Sequence, residues 1–177
     1  MNSMLVWTDV LLESYNNLVN FADAVDRKID ILSHCNDSRL NALEVSNKII
    51  DLMEKKISIC NTKVLIENVI NNLDKEARKL IVLKYIDKYS LEKIAISMKM
   101  TLRTIYRKMS KVREKFSKML LLMGYTDEKL HLMYKDNLWL YNSFCSEMEK
   151  LREEQKLNIE ATYLAENEIE EGVAKAI

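Results

Sequence analysis

Between Thr101 and Lys118 the chain reads TLRTIYRKMSKVREKFSK, with seven basic side chains and one acidic one, Glu114. Ile105, Met109, Val112 and Phe116 recur at spacings of 4, 3 and 4, which puts them on one side of a helix. The other side presents Arg103, Arg107, Ser110 and Glu114, flanked by Leu102, Thr104, Tyr106, Lys108 and Lys111. These residue types suit a polyanion with readable edges. Arginine bonds guanine through two parallel hydrogen bonds, and leucine or tyrosine packs on a thymine methyl. A helix that enters the major groove N-terminus first reads with its first two turns, so Leu102, Arg103, Tyr106 and Arg107 are the base-reading candidates. Thr101, Thr104, Lys108 and Lys111, with Lys93 and Lys99 just upstream, suit phosphates. Glu114 would repel a phosphate and marks the outer limit of such a contact.

The segments before this helix are those needed to hold it. Asp74 can cap a helix with Ala77, Leu80, Ile81 and Tyr85 inward. Asp87-Lys88-Tyr89 leaves it, and Ser90 caps a short helix with Leu91, Ile94, Ala95 and Met98 on its buried side. Small Ala95 lets two helices cross closely. Lys99-Met100 forms the turn, and Thr101 caps the basic helix through the amide of Thr104 or its neighbour. Residues 73–123 therefore read as a helix-turn-helix module.

Net charge is zero over 177 residues, but it is unevenly placed. Residues 1–72 carry 7 basic and 10 acidic side chains, 73–123 carry 14 and 5, and 124–177 carry 6 and 12. The middle segment is thus +9 between flanks of −3 and −6, a localised anion-binding surface. The chain has no proline and two glycines, which argues for an all-α fold. Cys35, Cys60 and Cys145 have no metal-ligand spacing and read as reduced thiols of a cytoplasmic protein. The start, MNSMLVWTDV, lacks the basic region of a signal peptide, and no apolar run reaches membrane-span length. With no Gly-rich phosphate loop, metal cluster or Ser/His/Asp arrangement, neither enzymatic activity nor a cofactor or metal is expected.

The pattern Arg78-x-Leu80-Ile81-x-Leu83-Lys84-Tyr85, then Ser90-Leu91-x-x-Ile94-Ala95, then Met98-x-Met100-Thr101-x-x-Thr104-Ile105-x-x-x-Met109 resembles the promoter-reading region 4 of sigma-70-type sigma factors. The likeness covers about a quarter of the chain. A long helical pair followed by this module also resembles small phage and prophage regulators of low-GC Gram-positive bacteria, several of which are thought to control late phage genes. The resemblance implies double-stranded DNA as ligand and RNA polymerase as partner. That family usually has glycine at Lys88 and Lys99 and glutamate at Lys93. A lysine kept in the left-handed conformation costs about 1 kcal/mol, so a remodelled turn is the expectation. Lys93 adds positive charge where the family has an acid.

The flanking segments extend the module. Leu11, Tyr15, Leu18, Ala22, Val25, Ile29 and Leu32 form a heptad stripe on a helix over about 8–33. His34–Ser38 breaks it, with Asp37 or Ser38 as the next cap. Leu43, Ser46, Ile50, Met53, Ile57, Cys60 and Val64 repeat the heptad, which predicts an antiparallel helical hairpin over 1–72 with these residues as its second seam. The same seam is a candidate dimerisation arm or docking surface. Gly124 ends the basic helix as a left-handed cap, and Thr126 or Asp127 starts a C-terminal extension. There Leu130, Tyr134, Leu138, Tyr141, Phe144/Cys145, Met148 and Leu151 keep helical spacing. Residues 130–151 would pack on the rest of the chain or form a second self-association surface. Residues 124–177 read as a long helix with an acidic tail, fraying from Glu166.

Three functions stay open on these grounds. The first is a sequence-specific transcriptional regulator acting with RNA polymerase, sigma-like or a late-gene activator. A complete sigma factor also needs a domain that opens promoter DNA, and its aromatic-rich basic segment is missing from residues 1–72, which favours the activator. The second is a phage DNA-packaging protein of the small-terminase kind, which also joins a helix-turn-helix to oligomerising helices. The third is a purely structural helical interaction protein.

Overall fold

The computed structural model describes residues 3–34 and 41–174. The elements are α1 (Ser3–His34), α2 (Ala42–Asn72), α3 (Lys75–Ile81) continuing as a π-helical turn (Val82–Ile86), α4 (Leu91–Ser97), α5 (Leu102–Leu122), α6 (Asp127–Tyr134) and α7 (Leu138–Ala174). The chain is all-α, with no strand among the described residues, and it contains the expected hairpin, helix-turn-helix and long C-terminal helix. No helix among those residues is long and apolar enough to cross a membrane.

One apolar core joins these elements. It runs from Met4, Trp7, Leu11 and Leu18 of α1 through Ile66 and Val69 of α2 and Leu80 and Ile81 of α3. It continues through Ile94, Ile105, Phe116 and Leu120 to Leu130, Tyr134, Leu140 and Phe144. Helix α1 starts at Ser3, five residues before the heptad stripe suggested, because Met4, Val6 and Trp7 are themselves buried. Trp7 is fully buried and stacks on Phe144 with ring centroids 4.1 Å apart. His131 meets it edge-on at 5.3 Å, and Tyr134 lies at 5.6 Å. Its indole Nε1 donates to Asp127 Oδ1 at 3.0 Å. One side chain of α1 thus holds both C-terminal helices.

The hairpin forms, but the second seam differs from the expectation. On α1 the stripe Leu11–Leu32 is buried or half-buried throughout. On α2, Leu43 is 70% exposed, and Ile50, Met53, Ile57 and Val64 are each just over half exposed. The covered side of α2 is instead Val45, Ile49, Leu52, Ile59, Thr62 and Ile66. Both stripes have helical period, and neighbouring positions such as Ile49 and Ile50 point about 100° apart. The buried one is the less apolar, since it includes Lys56, whose ammonium bonds Asp26 of α1 at 2.7 Å.

Helix α2 runs unbroken to Asn72 and is capped by Asn41, whose side chain accepts from the Glu44 amide at 2.8 Å. The caps expected at Asp37 or Ser38 lie outside the described residues, as does Cys35; Cys60 and Cys145 are free, exposed thiols. The C-terminal segment divides between α6 and α7. The Asn137 side chain accepts from the Leu140 amide at the start of α7, and the break lets Tyr134 and Phe144 reach Trp7 from two directions. The apolar face of 130–151 is largely spent on this packing: Leu130, Tyr134, Leu140 and Phe144 are buried. The backbone stays helical to Ala174, past the point where fraying was expected.

Replacing Trp7 by alanine opens a void shared by α1, α6 and α7 and removes the indole hydrogen bond to Asp127. Trp7→Ala should cost about 3–5 kcal/mol, measured by urea denaturation followed by circular dichroism.

Candidate nucleic-acid interface

Every helix start from α3 to α6 carries a side-chain cap. Asp74 accepts from the Ala77 amide at 3.0 Å, Ser90 from Lys93 at 3.3 Å, Thr101 from Thr104 at 3.3 Å and Thr126 from Lys129 at 3.3 Å. Each satisfies one orphan amide of a first turn. Arg78 secures the junction behind them. Its guanidinium donates to the carbonyls of Ile70 (3.3 Å), Asn71 (2.5 Å) and Leu73 (3.4 Å), a cation at the C-terminal end of α2.

The helix ends correct the expectation of a remodelled turn. Lys99 keeps the left-handed conformation at φ 53°, and Lys88 does so at φ 55°. After α4, the Lys99 amide donates to Ile96 O at 3.1 Å and the Met100 amide to Ala95 O at 2.9 Å. After α5, Gly124 (φ 79°) and Tyr125 donate to Leu121 and Leu120 in the same way, both at 2.9 Å. These paired bonds form the Schellman motif. They satisfy carbonyls that would otherwise be orphaned, which is why the backbone keeps its path when glycine is absent. The π turn ends similarly, with Asp87 donating to Val82 O at 2.8 Å and Tyr89 to Leu83 O at 2.9 Å.

Helix α5 buries Ile105, Met109, Val112 and Phe116, as its spacing required, with Ser117 and Leu120. Leu102, Arg103, Tyr106 and Arg107 are all exposed on its first two turns, and Lys111 is exposed one turn further on. Thr101 and Thr104 sit together at the helix start, with their hydroxyls 2.8 Å apart, and no acidic residue occupies that first turn. Lys99 is exposed immediately before it. Lys93 is on α4, with its ammonium 3.7 Å from the centre of the Tyr89 ring. Lys108 is half-buried and bonded to Glu76 of α3.

The ion pairs of α5 were not visible in the sequence. Lys108 bonds Glu76, Arg113 bonds Asp9 of α1, and Lys115 bonds Asp74 at 2.6 Å. The partners are 32, 104 and 41 residues away, beyond any local pattern. These three cations lie on the flanks of the core side. Arg103, Arg107, Lys111 and Lys118 make no ion pair among the described residues. At about 100° per residue they fall within an arc of roughly 80° opposite the core. Pairing thus separates cations that hold the helix from cations left for a ligand.

The two acids respond differently to their partners. The Lys115 ammonium and the Ala77 amide hold the Asp74 carboxyl below its ordinary range. That contribution to stability is present above the unfolded carboxylate range and fades as pH falls through the depressed value. Burial pushes Asp9 up despite Arg113, which pulls it down. Desolvation outweighs the ion pair there, so the Asp9 charge is carried at a cost.

Residues 63–116 match the family described as Sigma-70, region 4. This segment is a sigma region 4-like helix-turn-helix. It takes in the end of α2, both crossing helices and the exposed first turns of α5. No curated protein and no solved structure matches the chain.

Two measurements check this geometry. Lys99→Gly relieves a left-handed lysine worth about 1–2 kcal/mol and adds glycine entropy of about 0.5–1 kcal/mol. The expected net gain is roughly 0.5–1 kcal/mol in denaturant unfolding, whereas a remodelled turn would give a loss. Glu76→Gln releases Lys108 from its ion pair. The log-log salt dependence of binding to duplex DNA should then steepen by up to about 0.9, one further phosphate, in fluorescence anisotropy titrations.

Proposed function

We propose that this chain is a sequence-specific DNA-binding transcriptional regulator that acts with RNA polymerase, as an activator of the phage late-gene kind. The observation that carries this reading is the sorting of cations on α5. Those beside the core are tied to Asp9, Asp74 and Glu76. Arg103, Arg107 and Lys111 share one exposed face, and Tyr106 and Leu102 are exposed along its edge toward the core. Arg103, Arg107, Leu102 and Tyr106 read base edges from the first two turns. Lys111, Lys93 and Lys99 meet phosphates, Lys108 stays with Glu76, and Thr101 and Thr104 support the strand at the helix start.

RNA polymerase as partner rests on the family match over 63–116. The activator reading takes the hairpin of α1 and α2, packed on the module, as its second functional part. We read the chain as three functional segments on a shared core: the hairpin 1–72, the DNA-binding module 73–123 and the extension 124–177.

Selection of bound fragments from random or genomic duplex DNA tests the proposal and names the site. Neutralising about five phosphates gives a salt slope near −4.5, and absence of binding at about 50 mM salt, where phosphate contacts are strongest, would sink it. On the selected site, Arg107→Ala should lose about 1–3 kcal/mol of discrimination against a substituted base pair. Lys111→Ala should weaken all duplexes alike and flatten the slope by about 0.9. If both variants bind every duplex like the wild type, α5 does not enter the groove in this orientation.

A further inference from the structure

The stripe that the hairpin leaves uncovered on α2 is a regular seam. Leu43, Ser46, Ile50, Met53, Ile57, Cys60 and Val64 alternate spacings of 3 and 4 over three heptads, about 32 Å of helix. All seven are exposed. A strict period of 3.5 is what winding a second helix along the same face requires, whereas a solvent-facing helix side has no reason to keep it. The two polar members do not spoil the seam. Ser46 Oγ already donates to Ala42 O at 2.9 Å, and a cysteine thiol buries like a small apolar group.

We infer that the occupant is a second copy of this chain, with the two α2 helices side by side and parallel. Ile50, Ile57 and Val64 hold the seam position at which β-branched residues favour two strands in parallel coiled coils, and Ser46, Met53 and Cys60 stand where leucine completes that pattern. In that register Lys56 and Lys63 come opposite Asn61 and Asn68 of the second copy, so no like charges meet at the flanks. The patch belongs to the class of several hundred Å² that marks protein contacts. Its flanks extend it toward the roughly 800 Å² per partner of a stable dimer. The surface faces away from α1, whose own outward side carries Asp23, Arg27, Lys28 and Asp30. This deepens the DNA-binding reading. Parallel α2 helices bring both modules to the Val64 end, so the preferred site is two half-sites related by a twofold axis.

The test uses the full chain. Light scattering should give twice the 20.8 kDa chain mass. Ile57→Glu, at an exposed position, should give a monomer of unchanged helicity whose thermal midpoint no longer rises with protein concentration. With Cys35 and Cys145 replaced by serine, a short bismaleimide should link two copies through Cys60, because a parallel pair places that residue against itself. A monomeric wild type, a ring-sized assembly, a dimer that survives Ile57→Glu, or a dimer that Cys60 cannot link would each overturn the inference. The Ile57→Glu chain should still bind one half-site, so failure of pairing is distinguishable from failure of DNA reading.

Discussion

Trp7 sits with no exposed surface among Phe144, Tyr134 and His131, its indole tied to Asp127. Through it the N-terminal half of α1 becomes the strut against which the other helices are placed. The opposite side of the same helix reaches the module at two further points. Asn16 donates to the carbonyls of Tyr85 and Ile86 at the end of the π turn, and Asp9 bonds Arg113 on α5. The direction of α5 is therefore set by residues about a hundred positions away. A sigma region 4-like module has a small core of its own. Here that core is continuous with the hairpin and the extension, which fixes α5 rather than leaving it on a tether.

The two left-handed lysines show what a local propensity is worth against a hydrogen-bond pattern. A non-glycine residue at φ near 55° is disfavoured by about 1–2 kcal/mol. Abandoning the turn after α4 would leave the Ala95 and Ile96 carbonyls short of partners and move Thr101 off its cap. Unmade backbone bonds at a half-buried crossing cost about 1–3 kcal/mol each, so the conformation is kept and the lysine bears the strain. Both lysines also stand at helix C-termini, where a cation is electrostatically favoured. That offsets part of the cost.

Features with a local cause were legible in the sequence. The caps at Asp74, Ser90, Thr101 and Thr126, the buried face of α5 and the left-handed Gly124 each follow from a few adjacent residues. What depended on a choice between equivalent local patterns was not. Helix α2 has two apolar stripes of the same period, and the more apolar of them faces solvent. Lys56 belongs to the covered stripe only because Asp26 stands across from it. The break between α6 and α7 has no proline or glycine to announce it. It exists because both Tyr134 and Phe144 pack on Trp7. On the candidate interface, residue types singled out the exposed face of α5. They could not show that Lys108 would be held by Glu76, since that pairing is made by the fold.

The same pairing explains how a chain of zero net charge presents a strongly positive face. Acidic residues of the flanks and of α3 do not cancel the cations of α5 evenly. Asp9, Asp74 and Glu76 meet Arg113, Lys115 and Lys108, all on the sides of the helix turned toward the body. At separations well inside a Debye length these pairs are nearly invisible to a distant phosphate. Arg103, Arg107, Lys111 and Lys118 are left on one exposed face, where Glu114 is the one acid that α5 itself supplies against four cations. A charged side chain that anchors a helix and one that meets a ligand are chemically identical. What distinguishes them is the acid supplied by the rest of the fold, and the burial that raises the pKa of Asp9 is the local cost of placing one such acid there.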